Sequence, residues 1–267
     1  MSNVEVETIR PGIVLATMNR PERLNALSMQ QVSEIKSALE EVSRDRACRA
    51  VILTGAGRAF CAGADLKDDR AAPGAEDMNR VGLVYKSQEH LAELMLMIRE
   101  LQKPVIAAVN GAAVGGGFGI CLVCDVRVAS VSASFGSVYI KAGLSSCDMG
   151  TSYLLPRIVG AARAAELMLT GRIFDAAEAE RIGLVHRVVQ EDRLLDAALE
   201  TAELIAENNE YGVWMTKQGL WANLDAPSLR HAMELENRTQ VLGSFTENMT
   251  EAMEAFREGR KPRWKPL

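Results

Sequence analysis

Two glycine-rich turns, Gly55-Ala-Gly-Arg-Ala-Phe-Cys-Ala-Gly63-Ala64-Asp65-Leu66 and Asn110-Gly-Ala-Ala-Val-Gly115-Gly116-Gly117, are the segments of this chain best suited to chemistry. Glycine lets a backbone bend sharply and approach a ligand, leaving peptide N–H groups free to meet a developing negative charge. Two such turns facing one point would form an oxyanion hole. The second runs into Phe118-Gly-Ile-Cys-Leu-Val-Cys124, read as a helix whose amino end adds positive dipole at the same place.

Other reactive side chains carry less. Asp65 follows the first turn and is expected to hold it through side-chain-to-backbone hydrogen bonds, and Asp125 has a similar structural reading. His90, His186 and His231 are far apart and suggest no metal site. Cys121 and Cys124 have redox-motif spacing but sit in an apolar segment without a second pair, so buried structural thiols are expected. Neither Gly-x-Gly-x-x-Gly nor Gly-x-x-x-x-Gly-Lys-Ser/Thr occurs at the turns, which disfavours a nicotinamide or ATP enzyme.

The elements that must position the turns are legible as periodicity. Ala50-Val-Ile-Leu-Thr54 leads into the first turn and Pro104-Val-Ile-Ala-Ala-Val109 into the second, so both turns should leave the same carboxyl edge of one sheet. An early hairpin is expected from Val4, Val6 and Thr8 followed by Ile13-Val-Leu-Ala-Thr-Met18. Ser28 should cap a helix bearing Val32, Ile35, Leu39 and Val42. Residues 67–80 read as a polar loop, and Leu83, Leu91, Leu94, Met95 and Ile98 as a helix ending before Pro104. Asp125-Val-Arg-Val-Ala129 and Leu184-Val-His-Arg-Val-Val189 read as further strands, which makes the chain α/β. Helical runs dominate from about Glu191 onward.

With their flanks, these segments closely resemble the enoyl-CoA hydratase/isomerase family, the crotonase superfamily. The resemblance starts at Asn19-Arg-Pro-Glu-Arg-Leu-Asn25-Ala26-Leu and passes through both turns. It includes Leu154-Leu-Pro156-Arg157-Ile-Val-Gly160, Leu169-Thr-Gly171-Arg and Ala177-Glu-Ala-Glu-Arg-Ile-Gly183-Leu-Val185. It implies an α/β spiral of repeated β-β-α turns over residues 1–190, holding an acyl-CoA site. A helical trimerisation region over 191–267 would follow, in a homotrimer or hexamer.

Carried over position by position, the resemblance makes the backbone amides of Ala64 and Gly116 the donors to the thioester oxygen. Asn25, Ala26, Ala62 and Gly115 match backbone positions lining the CoA site, and Lys67 a basic position near the nucleotide phosphates. Glu22 stands where many relatives carry a basic residue, which shifts part of the phosphate grip to Arg20 or Arg23. Phe256 and Lys261 would close a neighbouring subunit's site. The usual two glutamates are absent: Gly119 stands at one position and Tyr139, in Phe135-Gly-Ser-Val-Tyr139, at the other.

A carboxylate pair lets a hydratase activate water and protonate the α-carbon, so its loss favours double-bond isomerisation over hydration. The best remaining acid is Asp148. It resembles, one residue out of register, an aspartate that serves dienoyl-CoA isomerases as acid/base and an aryl-CoA dehalogenase as nucleophile. The competing reading is that Asp148 caps the helix that follows it. Tyr139 could donate a hydrogen bond, relay a proton or simply pack. The alternatives are a hydrolase or dehalogenase using Asp148, or an acyl-CoA binder without activity.

The 267 residues and net charge of −5 give enough chain for a sizeable core and no broad basic surface for nucleic acid. No secretory signal or bilayer-spanning run is read in the sequence, and five cysteines show no framework spacing. A soluble cytoplasmic protein with reduced thiols is expected, needing no metal or cofactor beyond the CoA of its substrate.

Overall fold

The computed structural model describes residues 2–267. The expected hairpin is present as β1 (Val4–Arg10) and β2 (Ile13–Met18), paired antiparallel. Ser28 accepts a hydrogen bond from the Gln31 amide and starts α1 (Met29–Arg44), which buries Val32, Ile35, Leu39 and Val42 as their spacing requires. β3 (Ala50–Gly55) and the short β4 (Ala59–Cys61) follow, then irregular chain up to α2 (Arg80–Glu100). The next unit is β5 (Val105–Val109), β6 (Ala112–Val114) and α3 (Gly116–Val123). A third is β7 (Val126–Ser130), β8 (Ser134–Gly136) and α4 (Thr151–Val159), leading into α5 (Ala161–Thr170). β9 (Phe174–Asp175), α6 (Ala176–Arg181) and β10 (Arg187–Val189) complete the sheets. The end of the chain is helical: α7 (Leu194–Ala206), α8 (Glu210–Asn223), α9 (Leu229–Ser244) and α10 (Asn248–Glu258).

Each β-β-α unit places its first strand in a six-stranded sheet, ordered β1-β2-β3-β5-β7-β10, and its second in a four-stranded sheet, ordered β4-β6-β8-β9. This is the α/β spiral that the family resemblance implied. The last strand is shorter than expected, because Leu184 and Val185 are buried in the turn before β10 rather than paired.

The main core lies inside the spiral, where Phe118, Phe135 and Phe174 pack ring against ring with centroids 5.7–6.5 Å apart. On the other face of the large sheet, Ile13, Ile52 and Ile106 meet Leu194, Ala197, Ala198 and Ala202 of α7. Small residues on α7 let it approach the sheet closely, so this first helix of the 191–267 region packs as part of the core.

α8 is tied to the sheet through one carboxylate. Asp125 accepts from the Val105 amide at 2.8 Å and from Trp221 Nε1 at 3.1 Å, and pairs with the buried Lys217 ammonium at 2.8 Å. The structural reading of Asp125 therefore holds. By contrast α9 buries none of its residues, and Val241, Leu242, Phe245, Met249 and Phe256 on α9, α10 and their link are exposed. No described helix is long and apolar enough to cross a membrane.

Candidate active site

The two glycine turns meet because their strands are neighbours. β3 and β5 pair in parallel with Ile52 opposite Ile106, so both chains leave the same sheet edge, and β4 beside β6 keeps them together. Gly63 adopts φ +88°, and a Cβ on it would lie 3.0 Å from the Val114 carbonyl and 3.3 Å from the Gly116 nitrogen. Only glycine combines that conformation with that approach.

A parallel bridge between Leu27 and Ala64 fixes the first amide. Leu27 donates to the Gly63 carbonyl at 2.7 Å and Asp65 donates to the Leu27 carbonyl at 2.9 Å, which turns the Ala64 N–H toward the opposite side. Gly116 is the first residue of α3, so its N–H has no partner one turn earlier. Gly115, at φ +53°, donates its own N–H to the Gly136 carbonyl at 3.0 Å. The Gly63–Ala64 turn and the amino end of α3 thus lie side by side at one sheet edge, and amides so placed are the kind that can stabilise an oxyanion.

The wall beyond these amides is built by residues 139–151. A Cβ on Gly119 would lie 3.5 Å from Tyr139 Oη and 3.0 Å from Met149 Cβ, while one on Gly116 would lie 3.0 Å from Met149 Sδ. Tyr139 and Met149 thus line the first turn of α3. Burial pushes the Tyr139 phenol well above its ordinary value, and Asp148 adds to the push while Thr151 opposes it.

Asp148 does not cap α4; that is a correction to one expected role. The N-cap is Gly150, in the left-handed region, and the Asp148 backbone carbonyl accepts from Thr151 N–H at 2.8 Å. The side chain instead turns sideways: Oδ1 accepts from the Met149 amide at 2.7 Å and from Gln88 Nε2. Its second oxygen makes no hydrogen bond to a described residue. Met149, at φ +44°, was not foreseen from the sequence, nor was Thr151; neither residue type carries a motif at that spacing.

Residues 20–28 form a braced ledge beside the first turn. Asp65 accepts from Arg20 and Arg23, each at 2.8 Å, and from the Lys67 amide at 3.1 Å. Burial alone would raise its carboxyl, but these donors outweigh it and hold Asp65 below the usual carboxylate range. Asn25 is fully buried at φ +55°, accepting from the Arg20 amide and donating to the Ala56 and Ala59 carbonyls. Ala26 accepts from Arg20 through its carbonyl, and Ala62 donates to the Leu24 carbonyl. Arg23 is therefore engaged by Asp65, whereas the Lys67 side chain is exposed.

Phe256 and Lys261 are not brought to the turns within one chain. Phe256 is 88% exposed, and Lys261 pairs with Glu207 at 2.7 Å beyond the end of α7. His90 packs between α1 and α2 with Nε2 3.1 Å from Ser33 Oγ. Cys48, Cys61, Cys121 and Cys124 are buried free thiols, and burial lifts Cys61 and Cys121 to about 12. Cys147 is exposed. Among the described residues, no cluster of His, Cys, Asp and Glu could hold a metal ion.

Residues 8–266 match the family model described as enoyl-CoA hydratase/isomerase. The chain is 46% identical over 263 residues to a probable enoyl-CoA hydratase of Mycobacterium bovis, covering 98% of this chain and 92% of that one. Among solved structures, a probable enoyl-CoA hydratase/isomerase from Mycobacterium abscessus gives a TM-score of 0.93 at 42% identity, with 99% of both chains covered. A monofunctional enoyl CoA isomerase from M. smegmatis gives 0.75 at 42% identity, covering 87% of this chain and 99% of that one.

Proposed function

The chain belongs to the enoyl-CoA hydratase/isomerase family, enzymes of the lyase or isomerase type acting on acyl-CoA, and we propose that it shifts a double bond within an enoyl-CoA thioester. The observation that carries this reading is the wall at Gly119. A phenol and the Met149 Cβ and backbone carbonyl crowd the space where a second carboxylate would be needed to activate water, leaving Asp148 as the acid/base group.

In this reading the thioester oxygen accepts from the Ala64 and Gly116 amides. Asp148 removes a proton from the α-carbon of a 3-enoyl-CoA, and the electron pair spreads through the double bond onto the thioester oxygen as a dienolate. The same carboxyl returns the proton to the γ-carbon, giving the 2-enoyl-CoA with no net change in charge. Each well-placed amide supplies about 3 kcal/mol to the charged intermediate. Tyr139 donates a hydrogen bond into the site. No metal or redox cofactor enters, since the amides polarise the carbonyl.

Asn25, Ala26, Ala62 and Gly115 would shape the CoA wall, with Asn25 acting through the ledge that it braces. Lys67 and the exposed part of Arg23 would face the nucleotide phosphates. Phe256 and Lys261 would complete a neighbouring subunit's site in a homotrimer or hexamer, supported by the apolar residues exposed along α9 and α10. Buried free thiols favour a reducing, cytoplasmic setting.

The test is to follow conversion of a 3-enoyl-CoA to its 2-enoyl isomer beside hydration of crotonyl-CoA. Fast isomerisation with slow hydration is expected. Hydration at the usual turnover of roughly 1–10³ per second, without isomerisation, would reverse the assignment.

A further inference from the structure

Resting on the isomerase reading above, Asp148 has to take a proton from one carbon and return it to another, which requires one carboxylate oxygen to be held toward the substrate in a fixed plane. Asp148 is only partly buried and lies in irregular chain just before α4. Its own loop supplies one tie, the Met149 amide donating to Oδ1 at 2.7 Å. That donor belongs to the next residue along the chain, so it moves with the side chain that it holds.

The second tie comes from a different element. Gln88 on α2 donates through Nε2 to the same Oδ1. The residues that α2 buries, His90, Leu94, Met95 and Ile98, all lie in its later part, whereas Val81, Val84 and Tyr85 in its earlier part are exposed. Among the described residues, the Gln88 bond is the only side-chain hydrogen bond that residues 80–88 make beyond α2, since Lys86 pairs with Glu89 and Ser87 with the Leu83 carbonyl. Gln88 is itself exposed, so water competes for both partners and the bond contributes little to folding. Its effect is on orientation. Both donors fall on Oδ1, which leaves the lone pairs of Oδ2 available for a proton. Besides burial, the Asp148 charge raises the Tyr139 phenol, in keeping with a carboxylate beside the wall at Gly119.

We propose that Gln88 is a positioning residue for the double-bond shift, anchoring Asp148 Oδ1 from α2 so that Oδ2 alone meets the α- and γ-carbons of the enoyl thioester. Without that anchor the carboxylate turns about its Cβ–Cγ bond, and the basic oxygen spends part of its time facing away from the substrate. Misorientation of this kind lowers turnover by about ten-fold and leaves thioester binding unchanged, because Gln88 touches the carboxylate and not the ligand.

The test measures kcat and KM for conversion of 3-hexenoyl-CoA to its 2-enoyl isomer by wild type, Gln88→Met, Asp148→Asn and the double variant. Thermal midpoints and calorimetric affinity for the unreactive hexanoyl-CoA are recorded for each. Gln88→Met keeps the side-chain length and loses the donor, so kcat should fall about ten-fold with midpoint and hexanoyl-CoA affinity near wild type. In the Asp148→Asn background the same substitution should change kcat by less than about two-fold, since the group that it positions no longer carries the proton. Wild-type kcat in Gln88→Met overturns the proposal, and so does an equal loss with and without the Asp148 carboxylate. In either case, low turnover in Asp148→Asn leaves the isomerase assignment standing. Full turnover in Asp148→Asn, or no isomerisation by the wild type, removes that assignment and this inference with it.

Discussion

Gly119 and Tyr139 divide one space between them: a Cβ on residue 119 would stand 3.5 Å from the tyrosine hydroxyl. The same atom would meet Met149 at 3.0 Å and its backbone carbonyl at 3.1 Å, and a carbonyl does not swing aside as a side chain does. Gly119→Glu is therefore expected to destabilise the protein by about 1–3 kcal/mol through overpacking. It should not raise crotonyl-CoA hydration to ordinary enzyme rates. Urea denaturation and a hydration assay on the variant check both statements.

Asp148→Asn should lower isomerase turnover about 10²-fold or more, because the amide cannot exchange a proton with the substrate. Its Oδ1 can still accept from the Met149 amide and Gln88, so the thermal midpoint and acyl-CoA affinity should stay close to wild type. Unchanged turnover would reduce Asp148 to a loop-holding residue.

The Asp65 clamp gives stability a defined acid dependence. Its folded carboxyl is held below its ordinary value by Arg20, Lys67 N–H and Arg23, against the opposing effect of burial. The unfolded chain therefore binds the proton first, and the stabilisation is complete above the ordinary aspartate value of about 3.9. It disappears as pH falls through the lower folded value. Asp65→Asn should cost about 1–3 kcal/mol at pH 7, and the gap to wild type should narrow near pH 3. Denaturant titrations of both proteins at the two pH values measure it.

The family resemblance implies an oligomer of three or six chains, for which exposed Val241, Leu242, Phe245 and Met249 offer an apolar contact surface, and light scattering on the purified protein determines the number. Phe245→Glu should shift the population toward monomer, and a stable wild-type monomer would remove the idea that Phe256 and Lys261 serve a neighbouring site.

What the sequence made legible was local. Ser28 and the inward stripe of α1, the apolar runs entering both turns, and the two glycine clusters each carry their signal within a few residues. The second sheet did not, because β4, β6 and β8 have three residues each and β9 two, too short for any period to register. Capping, the competing role weighed for Asp148, does not occur, and its actual partner Gln88, on a helix 60 residues away, could not be read locally. The double grip of Arg20 and Arg23 on Asp65 likewise spans more than forty positions. Met149 gave no sign at all: its importance arises from where its thioether falls relative to Gly116.

Asp125 has a consequence for how the molecule melts. A single carboxylate binds the first amide of β5, the strand that delivers the second glycine turn, and also the ammonium and indole of α8. Releasing α8 would strand that charge in the interior, at a cost of about 3–5 kcal/mol for a broken buried pair. The helical end and the sheet are thereby joined into one cooperative unit. Amide protons in the middle of α8 should exchange with solvent on the same timescale as those of β5, and calorimetry should show one transition where separable parts would give two.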